Sequence, residues 1–179
     1  MKTYSSYDEF LCETLAKWWD GYFGGSPATN NNPWMTNSVV RRFAIIKAED
    51  IYKALLKQPG ISTTQAHILM LSDKFLDHFG RIMSALSSFT SDSAALPPAF
   101  IQETLMQRCK EMVQFLADTC RNDPEIIERT QKELIEMGIG QVPPPKLAGG
   151  GTGCGTSLIA LVVTILFPPP AISQCNSIG

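Results

Sequence analysis

The chain has 179 residues, 44% of them hydrophobic and 18% charged, with a formal net charge of −2 at pH 7. That length and balance fit one globular domain with a core of its own and exclude a disordered polyelectrolyte. They also give no electrostatic case for nucleic acid, which needs a clustered basic surface; the one adjacent basic pair is Arg41-Arg42.

The opening residues, Met1 to Glu9, lack the apolar stretch of a secretory signal and are acidic where a transit peptide is basic, so a cytoplasmic product is expected. In that compartment Cys12, Cys109 and Cys120 remain thiols and act as small core residues. Helical periodicity then governs residues 7 to 138, without a convincing run of strand alternation.

A first helix is expected from Asp8 to Tyr22, with Phe10, Leu11, Leu15, Trp18 and Trp19 on its apolar side. Of the two tryptophans, one belongs in the core and one at its edge. Gly24 to Pro33 reads as a polar loop full of turn formers. A second helix is expected from Thr36 to Lys57, turning Val39, Val40, Phe43, Ile46, Ile51, Leu55 and Leu56 inward, and Pro59-Gly60 stops it.

Ser62 or Thr63 can cap a third helix running on to Leu86. It carries His67 and His78, eleven residues apart and close to one face, so both can look into one groove; the blander reading makes them surface or boundary residues. Pro97-Pro98 opens a fourth helix, to about Cys120, with Phe100, Ile101, Leu105, Met112, Val113, Phe115 and Leu116 as its stripe. Asn122-Asp123-Pro124-Glu125 reads as a restart, with Asp123 as cap and Pro124 at the first helical position of a fifth helix that ends at Gly138. Five helices with short connections predict an all-α bundle of antiparallel neighbours, followed by a disordered, Gly/Pro-interrupted apolar tail.

No phosphate-binding glycine loop, nucleophile elbow or zinc-ligand spacing occurs, so no catalytic residue, metal or cofactor is assigned. The texture changes at Pro143-Pro144-Pro145, which block helix propagation and favour an extended backbone. After Lys146 the only ionisable side chains are the thiols of Cys154 and Cys175. The glycine-dense stretch from Gly149 to Gly155 leads into the apolar run Leu158–Phe167, and Pro168-Pro169-Pro170 closes it. The expected division is a helical carrier over 1–142, a linker over 143–150 and a cargo segment over 151–179.

The cargo's reactive groups are the hydroxyls of Thr152, Thr156, Ser157, Thr164, Ser173 and Ser177 and the thiols of Cys154 and Cys175. Loss of water from Ser or Thr gives an electrophilic alkene, and a cysteine thiolate adds to it as a thioether. The resulting ring restricts the chain much as a disulfide does.

Leu147-Ala148-Gly149-Gly150, followed by that Ser-, Thr- and Cys-bearing tail, resembles the leader/core junction of ribosomally made, modified peptides of the double-glycine lanthipeptide kind. The resemblance implies a leader presented to a dehydratase and cyclase, then cleavage after Gly150 by a peptidase-bearing transporter. It implies that Leu147 fills the peptidase groove, that Gly149 and Gly150 are the cleavage pair, and that Cys154 and Cys175 donate thioethers to dehydrated Ser and Thr. The precursor would stay cytoplasmic, and the secreted core would act as an antimicrobial bacteriocin at a membrane. Pro143-Pro144-Pro145 departs from the helical acidic and leucine residues common upstream of such junctions. The alternative is a helical adaptor or scaffold domain for protein–protein contact, whose tail is a non-functional splice or read-through end. A membrane anchor is weaker, since Leu158–Phe167 is about half the ~20 residues a span needs.

Overall fold

Side-chain caps decide where most of the helices begin. In α1 (Tyr7–Phe23) Ser6 Oγ accepts from the Glu9 N–H at 3.2 Å, and Asp8 and Glu9 lie at the positive end of the helix dipole. In α2 (Pro33–Thr36) Asn32 accepts from the Trp34 N–H at 2.9 Å, with proline next in line. Asn37 accepts from the N–H groups of Val39 and Val40 to start α3 (Ser38–Leu55). A reciprocal Ser62/Gln65 box starts α4 (Thr63–Leu71), and Ser72 starts α5 (Asp73–Ser87). Helices α6 (Ala99–Asn122) and α7 (Ile126–Glu136) begin without a side-chain cap.

The computed structural model describes residues 1–24, 31–88 and 98–147, and among these the fold is all-α, a bundle of seven helices. Helix α4 is its axis. All six residues from Ala66 to Leu71 are buried, so it is apolar all round, as a helix enclosed by others must be. Around it lie α3, α5, α6 and α7, and α1 closes the bundle against α5 and α3. Trp34, Tyr7, Tyr52, Phe10, Phe75 and Phe79 are the largest fully enclosed side chains of one continuous core.

The structure departs from the sequence expectation at several elements. The third helix is two helices, because Ser72 is at once the end of α4 and the cap of α5. Its ψ of 153° breaks the helix, its hydroxyl donates to the Leu69 carbonyl at 2.6 Å, and it accepts from the Phe75 N–H at 3.3 Å. Where the polar loop was expected to run into the second helix there is a separate four-residue helix, α2, because Asn32 and Trp34 are buried; the Asn32 amide donates to the Ala16 carbonyl at 3.2 Å and ties α2 to α1. Asp123 does not cap α7: its carboxylate pairs with Arg129 at 2.6 Å, and helix geometry starts at Ile126. Ile46 and Phe100 face solvent at 44% and 65% exposure, so both fall off the buried stripes of α3 and α6.

Trp18 and Trp19 are both half-buried, and the fully enclosed tryptophan is Trp34. Trp18 lies flat over Gly80 of α5, donates from Nε1 to Asp77 at 3.2 Å and stacks on Tyr22 with ring centroids 4.8 Å apart. Arg81 holds Asp77 from below and lies over the Tyr22 ring, so one bracket of side chains fastens α1 to α5.

Candidate functional site

Residues 138–145 are the part of the described structure that leads to the C-terminal segment, and they are packed. Gly138 takes φ +70°, a left-handed turn that favours glycine, and sends the chain out of α7. It returns alongside the N-terminus as a short parallel ribbon. The Lys2 N–H donates to the Gly138 carbonyl at 2.7 Å, the Gly140 N–H to the Lys2 carbonyl at 2.7 Å, and the Tyr4 N–H to the Gln141 carbonyl at 3.2 Å.

Side chains on both strands of the ribbon anchor it. Tyr4 is buried edge-on against Phe10 with centroids 5.2 Å apart, and Lys2 pairs with Glu13 of α1. From the other strand Ile139 and Val142 enter the core at 5% and 0% exposure, and Pro145 is buried as well. The prolines thus extend the packed surface rather than leave it. Lys146 is exposed and Leu147 is 48% exposed, so Leu147 stands at the solvent edge as the last described residue. Of the residues the sequence singles out, Gly149, Gly150, Thr152, Cys154, Thr156, Ser157, Thr164, Ser173, Cys175 and Ser177 lie outside the described residues.

Under the ribbon sits His67. It is 3% exposed, and neither ring nitrogen completes a hydrogen bond. Burial lowers its pKa to about 4, and the backbone of Val142 lies near enough to offset a little of that, so the ring is neutral at pH 7. His67 and His78 do not share a groove, since the break at Ser72 turns α5 away from the axis of α4.

His78 is exposed and stacks on Phe115 at 4.3 Å, at one end of a groove of about 440 Å³ between α5 and α6. Ile82, Met112 and Phe115 supply apolar lining, with Arg81, Arg108 and Glu111 beside them. The lining is thus part apolar and part charged.

Burial raises the pKa of Cys12, Cys120 and Cys109, the last to about 11, so all three stay protonated at pH 7; Cys109 and Cys120 are core residues as expected, whereas Cys12 is only half-buried. Among the described residues no group of three His, Cys, Asp or Glu side chains could hold a metal ion, and no helix is long and apolar enough to cross a membrane.

Sequence reasoning missed the ribbon, the buried Trp34 and the seat of Trp18 on Gly80. The faint signals were Asn32-Pro33, which reads as a capped helix start, and the apolar Ile139 and Val142 set among glycines and prolines. Comparison with family models, curated proteins and solved structures returns no match for this chain.

Proposed function

We propose that this chain is the precursor of a modified peptide. Its helical domain presents the segment from Gly151 onward for dehydration of Ser and Thr and thioether closure by Cys154 and Cys175, before cleavage after Gly150. The observation that carries the reading is the division of the sequence. All charge lies at or before Lys146, and the remainder is an uncharged stretch of Gly, Ser, Thr, Cys and apolar residues behind Gly149-Gly150. The packed domain supports it, because the chain stays held to the core through Pro145 and reaches the solvent edge at Leu147. The protonated thiols of the domain, two of them buried, support it too, since they leave Cys154 and Cys175 as the natural sulfur nucleophiles.

The partners on this reading are a dehydratase and cyclase and a peptidase-bearing transporter, with a membrane as the target of the released peptide. The chain itself carries no catalytic role. A second reading, an adaptor for another protein, draws on the open α5–α6 groove with its His78–Phe115 stack.

Mass spectrometry of the chain from its producing cells separates the two. The precursor reading predicts fragments from 151–179 lighter than their sequence by whole multiples of one water, with Cys154 and Cys175 refusing iodoacetamide. Fragments of unmodified mass with both thiols alkylated would end that reading and favour the adaptor.

A further inference from the structure

We propose that the groove between α5 and α6 is the seat of the chain's own apolar segment, Leu158–Phe167, which docks there on the domain that carries it. In that segment every residue but Thr164 is apolar, and it holds neither charge nor proline. Runs of this kind, rich in Leu, Ile and Val, pair as strands between chains when left in water. Cover is therefore needed whether or not the segment is later modified or released. A groove on the same chain competes well, because a short tether gives an effective concentration in the millimolar range. A seat with an intrinsic dissociation constant of about 1 mM is then half filled.

The groove suits an uncharged occupant. Met112 is buried at its floor, Ile82 and Phe115 are half-buried along its walls, and Ala85 is exposed at its mouth. Arg81, Arg108 and Glu111 are exposed at its edges. With both signs of charge present, an acidic or a basic partner meets a like charge, whereas Leu158–Phe167 meets none.

Size also favours this groove. Its volume of about 440 Å³ takes about three ring-sized groups, at roughly 150 Å³ for each. The hollow between α3 and α6, lined by Ala54, Cys109 and Val113, offers about 130 Å³ and takes one. Arg81 also joins the groove to further apolar surface. It lies over the Tyr22 ring, and Tyr22 meets Phe23 edge-on, the two being 49% and 50% exposed.

The tether is long enough. Helix α1 starts beside the ribbon and ends at Tyr22 and Phe23, next to the groove wall at Arg81. The groove thus begins about 25 Å from the ribbon, the length of α1. From Leu147 to Leu158 the chain spans up to about 36 Å, and the segment itself extends that reach.

The test is photo-cross-linking of the dilute, unmodified full chain, with benzoylphenylalanine replacing Leu161 or Phe167 in turn. Peptide mapping should find at least one probe joined, within one chain, to residues 78–85 or 108–115. Ala85→Glu sets a carboxylate in the groove mouth and should cut that yield roughly tenfold. Ala85 is exposed, so the helix content read by circular dichroism should not change. Leu161→Asp with Ile165→Asp, which leaves the helical domain untouched, should cut the yield from the Phe167 probe likewise. Cross-links that fall elsewhere on the domain or only between two chains would overturn the proposal, as would a yield unchanged by both sets of substitutions.

Discussion

Acidification from pH 7 to pH 4.5 is expected to remove about 2 kcal/mol from the stability of the folded domain, and His67→Leu to abolish that loss. The sign follows from burial. The folded imidazole has its pKa lowered to about 4, against 6.5 when exposed, so in this window the unfolded chain binds the proton and the folded one does not. Stability is flat above the exposed value, falls as pH drops below it, and levels off below about 4. Glu9, Glu13 and Asp77 have pKa values held down by hydrogen bonds to Ser5, Lys2 and Arg81 respectively. Their ordinary values are 4.5 for the glutamates and 3.8 for the aspartate, so most of their loss comes at lower pH. The interval from 6.5 to 4.5 therefore reports mainly on His67. Urea midpoints measured across it check the slope, and a slope unchanged in His67→Leu would place the titrating group elsewhere. At pH 7 the leucine should be neutral or stabilising, because it removes two buried nitrogens that have no partner.

Gly80→Ala should destabilise the domain by about 1–2 kcal/mol, against the usual sign of that change in a helix. Inside a helix alanine is ordinarily better than glycine by about 1 kcal/mol. Here the new methyl would sit 2.6–2.8 Å from Cδ2, Cε3 and Cε2 of Trp18, atoms at the centre of the indole rather than at a yielding tip. Overpacking of this sort costs about 1–3 kcal/mol. Displacing the ring also breaks the Trp18–Asp77 hydrogen bond and the stack on Tyr22, so steric cost outweighs helix propensity. Thermal unfolding should show a midpoint lower by roughly 5 °C. In a double-mutant cycle with Trp18→Leu the alanine should recover much of its loss. A stabilising Gly80→Ala would show that the bracket between α1 and α5 is loose.

The helices were legible wherever one face alone had to be apolar. The stripe of α1 follows from spacing and Ser62 stands where the sequence offers a cap, whereas the caps Ser6 and Asn37 emerge only from the structure. The break at Ser72 was harder to see because α4 is buried all round and carries no stripe whose phase could shift at the join. Trp34 was hidden for another reason: a four-residue helix between turn formers has no periodicity, and only tertiary contact shows that Asn32 and Trp34 are interior. The ribbon joins residues 2–4 to residues 138–141 by backbone hydrogen bonds, which leave no side-chain pattern to read.

Of the candidate site, Leu147 is placed at the solvent edge, and the pair proposed for cleavage and the residues proposed for modification lie outside the described residues. Composition alone marks them. Pro143-Pro144-Pro145 was legible as the end of helix, and its packing against the core was not, because proline signals backbone shape and says little about burial.

The central claim is that a folded, charged carrier is separated from an uncharged cargo at one bond. Intact-mass analysis of peptides in the medium of the producing cells tests it directly. The account predicts a peptide beginning at Gly151, lighter than its sequence by whole waters, while a fragment ending at Gly150 stays with the cells. Recovery of the chain only at full length, with the Gly150–Gly151 bond unbroken, would contradict it.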